Sequence, residues 1–249
     1  ANTKNIKTLF SLIENENKKK KNYSKKVNHK EKQVIKSHLL NRKKTEQKYF
    51  DLTKIRDKSK PIKITPKMIN DLSFHQKICK TKPDFIFTFG CSIIKNEIIN
   101  FYNNRIINFH LGLSPYYKGS GTNFWPLVNK EPEYVGATLM FMDSGIDTGK
   151  IIHQIRPLVS QDDGPHDIGC KVICEIVKLF PYLFKNLSSL KGIRVKVSKK
   201  KLYYMRKDLN LSSIFKLHQN FKKFMMKEYI RNKIKRDKKV KIYQSKLLK

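Results

Sequence analysis

The chain has 249 residues, enough to bury a sizeable core with an appendage, and carries 54 basic against 20 acidic residues for a formal charge of +34. That balance predicts attraction to polyanions at low salt without naming one. With 39% hydrophobic residues, including 15 Phe and 11 Tyr, the chain is not a disordered basic tail.

Lys predominates over Arg, and Lys, Asn and Ile recur throughout. An AT-rich coding sequence gives that usage, and specific reading of nucleic acid favours Arg forks, so charge alone does not indicate it. Cys79, Cys91, Cys170 and Cys174 are too sparse for a disulfide framework. They predict a reducing compartment, the cytoplasm or alternatively an organelle such as the mitochondrial matrix. Cys170 and Cys174 share a helix face and read as two small core residues; no metal site is expected. No apolar run approaches the roughly eighteen residues that cross a bilayer, and no signal-peptide core follows the N-terminus, so a soluble protein with no membrane partner is expected. The sequence opens at Ala1 without Met, which predicts a processed start or one outside this sequence.

In chain order, Ile6–Ile13 reads as a strand, and residues 18–60 as a basic, partly exposed helix and loop. Pro61–Ile64 predicts a short strand, and a helix is expected near Pro66–Leu72. Pro83–Gly90 is a continuous apolar run ended by Gly, the pattern of a strand buried on both faces of a parallel sheet. Ile93–Phe101 is helical in pattern and Arg105–His110 is a second strand, which together make a right-handed crossover unit. A loop rich in Gly, Ser, Pro and Tyr spans Leu111–Thr122. Val135–Met142 and Lys150–Arg156 read as further strands joined by the turn Asp143–Gly149. Asp163–Asp167 starts a helix, with a capping Asp and Pro165 in its first turn, and Ile168, Val172, Ile173, Ile176, Val177 and Phe180 keep helical spacing against the sheet. Beyond Leu190 an extended pair over Val195–Tyr204 and one or two amphipathic helices from Ser212 to Ile234 are expected, with a loose Lys-rich end. The fold class is therefore α/β: a Rossmann-like open, mostly parallel sheet flanked by helices over residues 1–190, with a basic helical C-terminal extension over 191–249.

Residues two apart on a strand face the same way, so Asn108 and His110 project together from a strand end, where open α/β sheets place ligands. Asp147, in a Gly-flanked turn, supplies a third polar group. Asn, His and Asp meeting in one crevice suit acyl transfer: a donor to a developing oxyanion, an imidazole, and a carboxylate that orients it and manages the proton. Singly, each has a plainer reading as a turn residue or a satisfied structural side chain.

Asn108-Phe-His110-Leu-Gly-Leu-Ser-Pro115-Tyr-Tyr-Lys-Gly119, followed by Gly145-Ile-Asp147-Thr-Gly149, resembles the N10-formyltetrahydrofolate-dependent formyltransferases over Pro83–Leu190. The family includes methionyl-tRNA, glycinamide ribonucleotide and sugar N-formyltransferases. The resemblance implies that Asn108, His110 and Asp147 are the catalytic groups. It implies that Phe89, Gly90, Cys91 and Ile93, with Asp143, Ser144, Gly145 and Ile146, line the pocket for the formyl donor, N10-formyltetrahydrofolate. It also implies that Ser114, Tyr116, Lys118, Gly119, Asn123 and Trp125 face the acceptor. The run Gly119–Trp125 is similar to the loop of the sugar enzymes, and the tail after Leu190 is too short for the C-terminal barrel of the tRNA enzymes. A nucleotide-linked amino sugar is therefore the expected acceptor. Phe124 and Trp125 read equally well as core or lid packing. Gly112 stands where many members have Ser, and no strand and helix precede Ile6–Ile13 where the family has them.

Two readings follow. In the first, an enzyme transfers the formyl group to an amine, with Asn108 and His110 stabilising the oxyanion and Asp147 taking up the proton, directly or through water. In the second, a non-catalytic module of the same fold binds a ribosome or other RNA-protein assembly through its Lys-rich flanks. A methionyl-tRNA formyltransferase-like enzyme is a further alternative.

Overall fold

A computed structural model describes residues 6–15, 29–50, 59–66, 68–195 and 202–249. β1 (Leu12–Glu14) and β2 (Ile62–Ile64) form a parallel pair, with α1 (His29–Tyr49) between them in sequence. The expected strand Ile6–Ile13 is thus cut to its end, because β2 offers a ladder only three residues long. Charged along most of its length, α1 buries Ile35 and His38 among its described side chains. A 3-10 turn at Met68–Asn70 occupies the helix expected near Pro66–Leu72; extended Asp71 then starts α2 (Leu72–Thr81).

The main sheet holds β3 (Ile86–Phe89), β4 (Ile106–His110), β6 (Ala137–Phe141) and β7 (Ile151–Ile155), in the order β3-β4-β6-β7. β3 and β4 are parallel, joined through α3 (Asn96–Phe101) as the crossover pattern predicts; β6 runs antiparallel to both its neighbours. Between β4 and β6 lie β5 (Tyr117–Gly119) and the single turn α4 (Trp125–Val128). One face of the sheet carries Ile107, Phe109, Leu139 and Phe141 onto α5 (Pro165–Lys185), which buries Ile168, Val172, Ile176 and Leu183.

β3 departs from the burial expected on both faces. It is an edge of this sheet, and Phe87 and Phe89 are 37% and 52% exposed. α5 covers Phe109 with Phe180 but reaches Phe87 only with Phe184, in its last turn. The same helix leaves Val177 exposed and starts at N-cap Gly164. Asp163 instead accepts from the Ser160 amide at 2.8 Å and pairs with Lys171.

The expected extended pair at Val195–Tyr204 falls partly outside the described residues. Its described end, β8 (Leu202–Tyr204), pairs in parallel with β5 rather than with a neighbour in sequence. Three of the five strand pairs among the described residues are therefore parallel. Three helices follow where one or two are expected: α6 (Leu211–Lys222), α7 (Met225–Arg231) and α8 (Lys233–Lys239). Left-handed Phe224 and non-helical Asn232 divide the run.

The Lys-rich end, expected to be loose, lies against the sheet. The Gln154 amide donates to the Tyr243 carbonyl at 2.6 Å, Tyr243 N–H donates to Gln154 Oε1 at 3.0 Å, and Val240 and Leu248 are buried. An unpaired outer edge of β7 would be open to other chains, and this segment closes it. His153 takes part, its Nδ1 accepting from the Ser245 amide at 3.0 Å.

Burial holds two imidazoles neutral. His38 is pushed down to about 4 by desolvation and then by His166, His218 and Arg42. His153 is pushed down to about 4 by desolvation and then by Lys249. Both stand below the unfolded value of about 6.5, so the unfolded chain binds more protons between those limits. Stability present above about pH 6.5 is expected to fall as the pH drops toward 4. Thermal melts in half-unit pH steps check this, and a flatter slope is expected for His38→Phe.

Candidate functional site

β4 sets the first two groups of the site. Asn108 lies between Thr88 of β3 and Met140 of β6, and His110 lies opposite Thr138. Cross-strand partners share a face, so these side chains stand on the side of the sheet away from α5. Thr88 Oγ1 donates to Asn108 Oδ1 at 3.0 Å, which leaves the Asn108 amide NH2 as the group presented outward. His110 is 8% exposed. Its Nδ1 is 3.2 Å from Asp147 Oδ1, and its Nε2 is 3.4 Å from the Tyr117 carbonyl. Desolvation lowers the pKa of the ring, while Asp147 and the Tyr117 carbonyl oppose that shift. His110 is accordingly neutral, with an Nδ1–H that can donate to Asp147.

Asp147 reaches this place by a turn that runs back over the sheet. Phe141 pairs with Ile107, at the far end of β4 from His110, and Met142 N–H bonds the Ile106 carbonyl. The turn is closed by Asp143 Oδ1, which accepts from the Gly145 amide at 3.1 Å and the Thr148 hydroxyl at 2.7 Å. Asp147 takes the left-handed conformation, at φ +52°. At Gly149 an added Cβ would stand 1.7 Å from the Phe141 carbonyl, so only glycine lets the turn close against β6. Asp147 Oδ2 then accepts the Gly119 amide at 2.7 Å. Sequence reading missed two of these partners, the Gly119 amide and the Tyr117 carbonyl. Both belong to β5, read as irregular loop, whose pairing with β8 has no signal in the local sequence.

The remaining candidates fall into two groups. Phe89, Gly90, Cys91 and Ile93 lie exposed at the end of β3. Ser144, Gly145 and Ile146 lie exposed in the turn, while Asp143 is engaged in closing it. Of the acceptor group, Lys118 and Gly119 are half-buried in β5. Ser114, Tyr116 and Trp125 correct the expectation, since all three are buried. The Ser114 carbonyl takes Gln154 Nε2 at 2.6 Å and its hydroxyl is enclosed, while the Tyr116 hydroxyl donates to the Lys241 carbonyl. Trp125 stacks on Tyr204 with ring centres 4.2 Å apart and donates to the Ser120 carbonyl. Asn123 Oδ1 caps the Gly136 amide at 3.0 Å. The Tyr116, Trp125 and Asn123 side chains, and the Ser114 main chain, are thus engaged within the fold.

Comparison with known proteins identifies the family and the fold. The sequence model of the family described as formyl transferase matches residues 3–181. The methionyl-tRNA formyltransferase of Desulforamulus reducens is 34% identical over 117 residues, 47% of this chain and 37% of its own length. That of Clostridioides difficile is 38% identical over 123 residues, 46% of this chain and 39% of its own length. The chain thus matches well under half the length of these curated relatives. Among solved structures, the formyltransferase PseJ from Anoxybacillus kamchatkensis, in complex with UDP-4,6-dideoxy-4-formamido-L-AltNAc and tetrahydrofolate, gives a TM-score of 0.51 at 25% identity, covering 66% of this chain and 82% of that one. A sugar N-formyltransferase from Shewanella sp. shares the fold at a TM-score of 0.51 and 19% identity, covering 74% of this chain and 83% of that one.

Since an added Cβ at Gly149 would meet the Phe141 main-chain carbonyl, no side-chain adjustment relieves the clash. Gly149→Ala is expected to cost at least about 2 kcal/mol of stability. A lowered midpoint in urea titration, with the slope unchanged, checks this.

Proposed function

Because the chain belongs to the formyl transferase family, we propose that it moves a formyl group from N10-formyltetrahydrofolate to a primary amine, with Asn108, His110 and Asp147 as the catalytic groups. The observation that carries this reading is the 3.2 Å contact between His110 Nδ1 and Asp147 Oδ1, on the sheet face that also presents Asn108. A non-catalytic module gives no reason for a buried imidazole and carboxylate to be held together there.

The donor's fit is supported by the exposed main chain at Gly90, where nothing lies within 4 Å of an added Cβ, and by exposed apolar side chains at Phe89, Ile93 and Ile146. Backbone polar groups beside apolar side chains suit a flat, polar-edged ring. The donor supplies the formyl carbon that the amine attacks. The Asn108 amide is placed to donate to the oxygen on which charge develops. Both oxygens of Asp147 are engaged, one at His110 and one at the Gly119 amide, so the proton given up by the amine falls first to His110. Its Nε2, unprotonated in the Nδ1–H tautomer, is the nitrogen that can take this proton; once protonated it can donate to the Tyr117 carbonyl 3.4 Å away, and Asp147 balances the imidazolium that forms. All four cysteines are free, which supports a reducing compartment, the cytoplasm or an organelle matrix.

For the acceptor, the first reading is a nucleotide-linked amino sugar, supported by the likeness to PseJ across most of that protein. A second, the amino group of methionyl-tRNA, is supported by the curated relatives and by the charge of +34. It gains from the placement of Asn123 and Trp125, on which the sugar reading leaned and which serve the loop's own packing.

Incubation with the formyl donor and either class of acceptor, read by mass spectrometry, is expected to give a formylated product from one of them. Asn108→Ala and Asp147→Ala are each expected to cut turnover at least about a hundredfold. Near-normal rates in both folded variants would refute the assignment.

A further inference from the structure

The segment between β3 and α3, residues 90–95, forms neither strand nor helix, yet two side chains from distant parts of the chain hold it. Glu14, the last residue of β1, accepts through Oε2 the Ser92 amide and the Ser92 hydroxyl, both at 2.9 Å. Asn70 Nδ2 donates to the Ile93 carbonyl at 2.8 Å, and Asn70 Oδ1 accepts the Lys95 amide at 2.8 Å. Ser92, Ile93 and Lys95 are thereby fixed, while Gly90 and Cys91 remain exposed between this anchorage and the end of β3. The second oxygen of Glu14, Oε1, is buried with no partner. Burying an unpaired carboxylate oxygen is costly, so filling space does not explain an acid at this position.

We infer that Glu14, together with Asn70, is a positioning residue for the formyl donor, holding residues 90–95 in the shape against which the donor's ring docks. The inference rests on the formyl-transfer reading and adds to it residues that lie outside the motif around Asn108 and His110. A segment without its own ladder hydrogen bonds loses order when its anchors are removed, and a ligand that must restore that order binds more weakly. The reacting groups on β4 and in the Asp143–Gly149 turn are untouched by the loss, so the rate of the bound complex is unchanged.

The test uses the full chain and its Glu14→Ala, Glu14→Gln and Asn70→Ala variants. Each is titrated with tetrahydrofolate by calorimetry and assayed with the amine that the wild type formylates. Glu14→Ala is expected to weaken tetrahydrofolate binding and raise the donor KM by about tenfold, and Asn70→Ala by about threefold, with kcat within about twofold. Glu14→Gln keeps an oxygen for Ser92 and is expected to stay within about twofold of the wild type. Amide hydrogen exchange is expected to quicken at Ser92, whose N–H loses its acceptor, in Glu14→Ala while β4 and β6 stay protected. Wild-type affinity in Glu14→Ala, or a fall in kcat equal to the rise in KM, overturns the inference and leaves the transferase reading standing. Absence of tetrahydrofolate binding and of transfer in the wild type overturns that reading, and the inference with it. If Glu14→Ala does not fold, Asn70→Ala decides, and unchanged donor affinity there overturns the inference.

Discussion

The carboxylate of Asp147 is the junction on which the site depends. One oxygen meets the imidazole of β4 and the other takes the main-chain amide of Gly119 in β5. The group therefore ties the sheet to the loop beyond it while lying nearly out of contact with water. Charge-assisted hydrogen bonds of this kind are stronger than neutral ones, and two on one carboxylate fix its direction as well as its place. The fixing extends outward. Gly119 sits at φ +88° with the Tyr204 carbonyl 2.1 Å from where a Cβ would stand, and the Ser120 amide bonds that carbonyl at 2.8 Å. β8, from the C-terminal part of the chain, thus buttresses the amide that holds the carboxylate.

Burial and pairing oppose each other at His110, and the balance has a chemical use. Removing the ring from water disfavours its charged form, while Asp147 and the Tyr117 carbonyl favour it. A solvated imidazole far from any acid would hold a proton with no preference for the moment of reaction. Burial favours the neutral ring, and a proton that reaches it finds two acceptors, the Asp147 carboxylate and the Tyr117 carbonyl, already aligned to stabilise the cation. The arrangement lowers the cost of holding charge only where the charge is made.

The sheet strands, the crossover and the three polar groups were legible because each has a local cause. Ile106, Asn108 and His110 alternate with Ile107 and Phe109, and the period of two alone puts the polar pair on one face. Asp147 was visible through the glycines that its turn requires. What escaped was set by contacts distant in sequence. β3 reads as a buried strand, and its exposure depends on how far α5 extends. β5 has no pattern of its own and exists because β8 lies 85 residues away, as with Tyr117 opposite Leu202. Ser114, Tyr116 and Trp125 look like binding residues in a motif, but a residue's side of a loop is decided by what packs behind it. The anchorage of residues 90–95 by Glu14 and Asn70 is likewise absent from any local spacing.

The positive charge of the chain acts on a longer scale than any of these contacts. Several of the few acids are spent inside the fold: Glu133 is held by Arg236, Asp163 by Lys171, Asp237 by Lys233 and Tyr229, and Asp147 by His110 and Gly119. The basic excess is left on the surface, as on α8, none of whose residues is buried. A field of that sign attracts any polyanion, and it fades over about 10 Å at ordinary ionic strength. It can raise the rate of encounter with polyanions without choosing among them. Selectivity among anions must therefore come from short-range contacts, which the spacing of the surface charges alone does not supply. Beside β5, by contrast, the Gly119 amide is already committed to Asp147 and Lys118 is half-buried.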